Sequence, residues 1–292
     1  MSERVSPAAP RWAVLSDIHG NLPALEAVVA ELSAEGITQV VQLGDALSGP
    51  LWPADTADRL MALDWPAIAG NHERQLLTLP RERQGLSDAF AADRLSELQR
   101  SWLRSQPPTR WLGPQIFCCH GTPGSDLVYF LETVVPGCGV DGSNGIRPAT
   151  AAELGDRLGT VRAPVVLCGH THVPRIATVD ACLLLNPGSV GLQAFDDDHG
   201  HPHRVENGSP LARWAVIEQG PQGWRASLRA TPYDHEAAAR QAERHGRGDW
   251  ADALRTGRVG RTERDVAAAR PAGRRGTGGQ DAAQAITGGD AE

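Results

Sequence analysis

The chain has 292 residues, of which 41% are hydrophobic, 22% charged and 5% aromatic, and its net charge is −7. This is the composition of a globular protein long enough to bury its own core, and it excludes a broadly basic nucleic-acid-binding surface. No apolar run approaches the roughly 18 residues of a membrane span, and the opening MSERVSPAAPRW has no apolar signal core, so neither membrane insertion nor secretion is expected.

In chain order, residues 1–10 read as a flexible start, and WAVLS (12–16) as a first strand. DIHGN comes next. Asn21 is placed to cap a helix with Pro23 in its first turn; Leu25, Val28, Val29 and Leu32 recur at helical spacing, and Gly36 ends it. QVVQL (39–43) predicts a second strand ending in Gly44-Asp45. A helix from about Ala54 to Leu63, a short strand PAIA (66–69) and a helix opened by Gly70-Asn71-His72-Glu73 make the next unit. One long surface helix is expected over 86–104, then strands QIFCC (115–119) and PVVLC (164–168) with a glycine-rich loop over 136–146 between them. RIATV, ACLLL, RWAVIE and RASLRA read as successive short strands that should form an antiparallel sheet, and 235–256 as helix. From Arg258 to Glu292 there are seven glycines, eight alanines and six arginines but no leucine or aromatic, which predicts a disordered tail. Strands alternating with helices argue for an α/β fold.

All 28 basic residues are arginine. Schiff-base chemistry, a lysine general base and a P-loop lysine are thereby excluded. The five cysteines contain no C-x-x-C pair, and Cys118, Cys119, Cys168 and Cys182 lie in apolar runs as small hydrophobes, which predicts a reducing, cytoplasmic setting.

The informative pattern lies at the strand ends. Asp17 and His19 come directly after the first strand, Asp45 after the second, Asn71 and His72 after the third, His120 after the fourth, and His170 and His172 after the fifth. Any one of these is an ordinary turn, cap or core residue. Solvated turns, however, have no reason to place a ligand after every strand, and in α/β sheets the loops at the carboxyl ends of strands converge on one crevice. A mixed set of carboxylate, imidazole and amide donors suits Mn, Fe, Zn or Ni rather than a cysteine-based structural zinc. Seven or eight donors would thus meet in one place; eight bonds to two ions from seven of them require one shared ligand. Asp45, a carboxylate with no ligand neighbour in its own loop, is the natural bridge.

D-x-H-G-N at 17–21, G-D at 44–45, G-N-H-E at 70–73, H-G at 120–121 and G-H-T-H at 169–172 together resemble the calcineurin-like metallophosphoesterase superfamily. LNPGSVG (185–191), GSPLARWAVIE and TPYDHEAAARQAERHG are similar to its small prokaryotic phosphodiesterase branch. The resemblance implies a metallophosphoesterase domain over residues 11–257. Its fold would be α/β, two mixed β-sheets packed as a sandwich with helices on both outer faces (α/β/β/α). It implies two divalent metal ions, manganese first, with iron, zinc or nickel as alternatives. One would be held by Asp17, His19, Asp45 and His172, the other by Asp45, Asn71, His120 and His170. His72 would be the general acid. The implied activity is hydrolysis of phosphodiester bonds in a small phosphate ester, by in-line attack of a metal-bridging hydroxide. Phosphomonoester hydrolysis, on nucleotides or phosphoproteins, is the alternative at the same site. A non-catalytic scaffold is a third reading, but such relatives lose ligands, and all seven are present here. Oligomeric state is left open.

Three features depart from the pattern. Gly44-Asp45-Ala46-Leu47-Ser48-Gly49-Pro50 lacks the Asp-Arg pair of G-D-x-x-D-R-G. Glu73 replaces the commoner aspartate after the histidine, without consequence for the ligand set. The stretch 194–210 is longer and richer in histidine than expected; Asp196, Asp197, Asp198, His199, His201 and His203 are weighed as a third metal site against a solvated loop. Arg74 and Arg175 are candidate phosphate contacts.

Overall fold

The computed structural model describes residues 11–269. In chain order the strands are β1 (Arg11–Leu15), β2 (Gln39–Gln42), β3 (Thr109–Leu112), β4 (Ile116–Cys119), β5 (Glu132–Val134), β6 (Ile146–Pro148), β7 (Val165–Leu167), β8 (Arg175–Val179), β9 (Cys182–Asn186), β10 (Ala194–Asp197), β11 (His203–Glu206), β12 (Ala212–Gly220) and β13 (Gly223–Thr231). The helices are α1 (Leu22–Ala34), α2 (Pro53–Leu63), α3 (Asn71–Thr78), α4 (Leu86–Ala92), α5 (Glu97–Arg104), α6 (Ala151–Leu158), α7 (His235–Arg244), α8 (Gly248–Thr256) and α9 (Glu263–Ala269).

Two mixed sheets carry the fold. One runs β13-β12-β1-β2, with β1 parallel to β2 and antiparallel to β12. The other runs β3-β4-β7-β9-β8, with a parallel centre of β4, β7 and β9 and antiparallel edges. Side chains alternate faces along a strand, and that period builds the layers. Val14, Val41, Ala215 and Ile217 of the first sheet meet Ile116, Cys118, Val165, Leu167 and Leu185 of the second in one buried cluster. The opposite faces take helices: Ala13, Leu15 and Val216 pack with Leu25, Val28 and Leu60, while Phe117, Val166 and Leu184 pack with Leu154 and Leu158. Each fully buried aliphatic side chain contributes about 1.5–3 kcal/mol. The result is the four-layer α/β/β/α arrangement that the resemblance implied.

Several elements differ from the sequence reading. The four late strands do not form one antiparallel sheet. β8 and β9 join the second sheet, where β9 runs parallel to β7, and β12 and β13 join the first. PAIA contributes only a single bridge, Gln42 to Ala67. The helix expected over 86–104 is broken into α4 and α5, because Ser96 and Gln99 form a reciprocal cap that starts a new helix. Helix 235–256 is likewise two helices, divided where Gly246 takes φ +70°.

The tail is also corrected. Residues 258–269 lie on the domain instead of being disordered. Arg261 pairs with Asp252 at 2.7 Å, the Val259 N–H donates to Glu206 at 2.9 Å, and α9 buries Val266. The reason is that its arginines find carboxylates and one valine finds the core, which a count of large apolar groups misses. The expectations for residues 1–10 and 270–292 fall outside the described residues. No helix among the described residues is long and apolar enough to cross a membrane.

Candidate metal centre

The parallel strands end at one rim, and the loops leaving them are stitched together there. Asp17 N–H donates to Gly44 O at 3.0 Å and His19 N–H to Asp45 O at 3.0 Å, so the loops after β1 and β2 pair directly. Gly169 N–H donates to His120 O at 2.7 Å, and Gly191 N–H to Asp17 O at 3.0 Å, which joins the two sheets at the same place. Close approach demands glycine at two points. A Cβ on Gly70 would strike Asp45 Oδ1, and one on Gly169 would strike Ser16 Oγ and sit 2.9 Å from Asp17 Oδ2.

The backbone at this rim is strained. Asp17, His19, Asp45, His170 and His172 all have φ between +53° and +68°, a region that costs a non-glycine residue about 1–3 kcal/mol and gathers at functional sites. Five of the seven candidate ligands are therefore held in a conformation that their own chemistry disfavours.

The side chains converge in two groups, Asp17 with His19 and His172, and Asp45 with His120 and His170. Three histidines present the same tautomer. Their Nδ1–H groups donate to Ser48 O (His19), Leu43 O (His120) and Leu192 O (His172), each at 2.7 Å, which aims Nε2 inward. His170 is turned over: its Nε2 meets Leu127 O at 3.1 Å, leaving Nδ1 for the centre. Around Asp17, electron pairs face electron pairs. His19 Nε2 lies 3.1 Å from His172 Nε2, and His172 Nε2 lies 3.3 Å from Asp17 Oδ1, an atom with no hydrogen-bond partner although it is buried. His120 Nε2 lies 2.9 Å from Asp45 Oδ2 and 3.1 Å from Asn71 Oδ1. Asp17 Oδ1 is also 4.0 Å from His120 Nε2, so the two groups adjoin. Crowded acceptors repel unless a cation lies among them, and this donor set fits two divalent ions.

The match to known proteins accords with this geometry. The sequence profile of the calcineurin-like phosphoesterase superfamily domain matches residues 11–206. The chain belongs to this superfamily. The uncharacterized protein MJ0912 of Methanocaldococcus jannaschii is 23% identical over 188 residues, 62% of this chain and 70% of that protein. Among solved structures, a metallophosphoesterase from Sphaerobacter thermophilus superposes with a TM-score of 0.64 at 21% identity, covering 85% of this chain and 99% of that one. The hypothetical protein PH1004 from Pyrococcus horikoshii gives 0.63 at 18% identity, covering 86% and 99%. These two share the fold.

Electrostatics within the phosphoesterase site separate the histidines. Burial and the neighbouring His172 push His19 down to about 3, and burial and His120 push His170 down to about 4, so both are neutral, as a metal ligand must be. Burial alone would depress His120, but Asp45 outweighs it and holds the ring up at about 10. Burial would likewise raise Asp45, yet His120 and His72 hold it well below the usual carboxylate range. Asp45 and His120 thus compete for the same proton, and those electron pairs are equally open to a cation.

His72 stands apart from both groups. Its amide donates to Asp45 Oδ1 at 3.0 Å, its ring lies 5.5 Å from that of His19, and its side chain is 30% exposed. Nδ1 is 2.8 Å from Asp88 Oδ1. Burial opposes the charge, but Asp88 and Asp45 hold the imidazole up at about 10.

Two residues that matter here were missed or misjudged from sequence. Asp88 is sixteen positions from His72 on a different helix, and no sequence signal joins them. Glu73 does more than fill a ligand-free position: its carboxylate accepts from Asp45 N at 2.7 Å, Ala46 N at 2.9 Å and Gly70 N at 2.8 Å, tying the Asp45 loop to the start of α3. The signal was available, since an acid three residues after Gly70 is a helix-capping position.

The other candidates have different roles. Arg74 is bidentate on Asp126, at 2.6 and 2.9 Å, and Arg175 pairs with buried Glu132 at 2.6 Å. The histidine-rich stretch is the hairpin β10–β11, and it does not form a third metal group among the described residues. His203 is buried with its Nε2 at 2.9 Å from Tyr129 Oη, Asp198 pairs with Arg264, and His199 and His201 are exposed. Asp198 thus answers a tail arginine rather than an ion.

Proposed function

We propose that this protein is a dinuclear-metal-dependent phosphodiesterase in which His72 protonates the leaving group. The observation that carries the reading is the pairing of two converging ligand groups with a separate, partly exposed His72–Asp88 pair beside them. Asp17, His19, Asp45 and His172 would hold one ion, and Asp45, Asn71, His120 and His170 the other. Two divalent cations in such a site supply a nucleophile from water at neutral pH and offset charge on the phosphoryl oxygens. Manganese is the first metal to load, with iron, zinc and nickel as comparisons.

The chain's own residues do the rest. Asp88 accepts the His72 Nδ1–H, which fixes the tautomer and leaves Nε2–H to deliver to a departing alkoxide. A diester is preferred over a monoester for an electrostatic reason. Arg74 and Arg175 are both committed to carboxylates, so neither offers the extra cation that a doubly charged monoester would use. A cytoplasmic location fits the five free cysteines.

The test compares bis(4-nitrophenyl) phosphate with 4-nitrophenyl phosphate on metal-analysed enzyme, and then His72→Asn on good and poor leaving groups. The variant should keep its metals and lose ~10²–10⁴-fold on an alkyl leaving group, with a far smaller loss on nitrophenolate. Preference for the monoester would overturn the substrate class. Equal losses on both leaving groups would remove His72 from the acid role.

A further inference from the structure

Arg247, at the start of α8, is only 2% exposed and reaches three elements. Its Nη2 lies 2.6 Å from Asp249 Oδ2 and 3.0 Å from Glu263 Oε2, and its Nη1 donates to Ser87 Oγ at 2.9 Å. Glu263, in α9, also accepts from Leu86 N–H at 3.4 Å. Gly85 provides no side-chain cap for α4, so the first two residues of that helix are gripped from the far end of the chain. The next residue is Asp88, which holds His72.

A buried ion network is a weak source of stability compared with apolar packing, so its use here calls for another reason. Directional bonds supply one. A helix of seven residues has few hydrogen bonds of its own, and each residue of register shift turns its side chains by about 100°. Asp88 stays on His72 only if α4 is fixed in rotation, and the contacts at residues 86 and 87 fix it at the adjacent turn.

We propose that Arg247, acting with Glu263, is a positioning residue for the His72–Asp88 pair, so that the segment after Gly257 contributes to the proton-delivering side of the site without touching the metal ligands. This rests on the reading of His72 as the acid. The test severs the grip while leaving the Arg247–Asp249 pair in place, using Ser87→Ala together with Glu263→Ala, and Ser87→Ala alone should the double variant fold poorly.

Two readouts are taken on folded protein whose metal content matches the parent. The first is the proton resonance of His72 Nδ1–H in histidine-¹⁵N-labelled protein, assigned by its disappearance in His72→Asn. The second is the rate ratio between bis(4-nitrophenyl) phosphate and diphenyl phosphate, whose leaving group needs a proton more. The expected result is faster exchange or loss of that proton signal, and about a tenfold fall on diphenyl phosphate with little change on the nitrophenyl ester. An unchanged proton signal with an unchanged ratio overturns the proposal. His72→Asn run in parallel separates the two claims. If it is itself unselective, the acid reading fails and the proton signal alone decides whether Arg247 positions the ring. If it is selective and the Ser87 and Glu263 variants are not, only the positioning role fails.

Discussion

Glu73→Gln tests whether the site's scaffold rests on one buried carboxylate. Glu73 is 3% exposed and accepts three backbone N–H groups, two at Oε2 and one at Oε1. Glutamine has nearly the same shape but only one acceptor oxygen. Placed at the Oε2 position, that oxygen keeps the Asp45 and Gly70 bonds and turns its NH2 toward Ala46 N–H, donor against donor. A hydrogen bond to a charged group is worth about 1.5–3 kcal/mol, and a stranded buried donor costs a further 1–3 kcal/mol or so. Part of this is recovered, because burial and the nearby Asp45 push Glu73 up and so oppose its charge. The net loss should be about 2–3 kcal/mol, which in a domain of this size lowers Tm by roughly 4–12 °C. Calorimetry on metal-replete and metal-free protein reads it directly. Glu73→Ala, which strands all three donors, should lose more. A Glu73→Gln protein that melts within a degree of the parent in both forms would refute the clasp.

Asp45→Asn should deplete both ions in elemental analysis, since a neutral amide bridges two cations poorly; retention of both ions in Asp45→Asn, with loss of both in His120→Ala, would contradict the shared-ligand assignment. Metal-free protein should lose stability as pH falls from about 6.5 toward 4. His19 and His170 are held at about 3 and 4, below an unfolded value of about 6.5, so the unfolded chain takes up protons that the native state refuses. The slope is at most ~2.7 kcal/mol per pH unit for two groups. His72 and His120, held at about 10, act in the opposite sense and only above 6.5, where their contribution is lost as pH rises. A flat Tm between pH 6.5 and 4 in chelator-treated protein would rule this out. Truncation after Gly257 should lower Tm while leaving two ions bound, because it exposes the groups around Val266, whose burial is worth about 1.5–3 kcal/mol, and strips Glu263 from Arg247. An unchanged Tm would return that segment to the status of a dispensable tail.

The candidate donors were legible in the sequence because nearly all come directly after an apolar strand, and strand ends in a parallel arrangement share a rim. Asp17, His19, Asp45, Asn71, His120, His170 and His172 needed only local pattern and the rule that such ends converge. The division of labour among them lay beyond local pattern. Which ring nitrogen faces inward depends on carbonyls of Leu43, Ser48, Leu127 and Leu192, each far from its histidine in sequence. The pairing of His72 with Asp88, the three-bond clasp of Glu73 and the commitment of Arg74 and Arg175 to carboxylates are contacts between elements, and neither periodicity nor spacing encodes them. The split of the late strands between two sheets has the same origin: β9 runs parallel to β7 because the chain first runs back along the edge as β8 and then returns between β8 and β7, an order that composition cannot reveal. The tail shows the limit most plainly. Arg258, Arg261, Val259 and Val266 read as unable to make a core, yet they needed only to find one already built, and carboxylates already in place on α8 and β11.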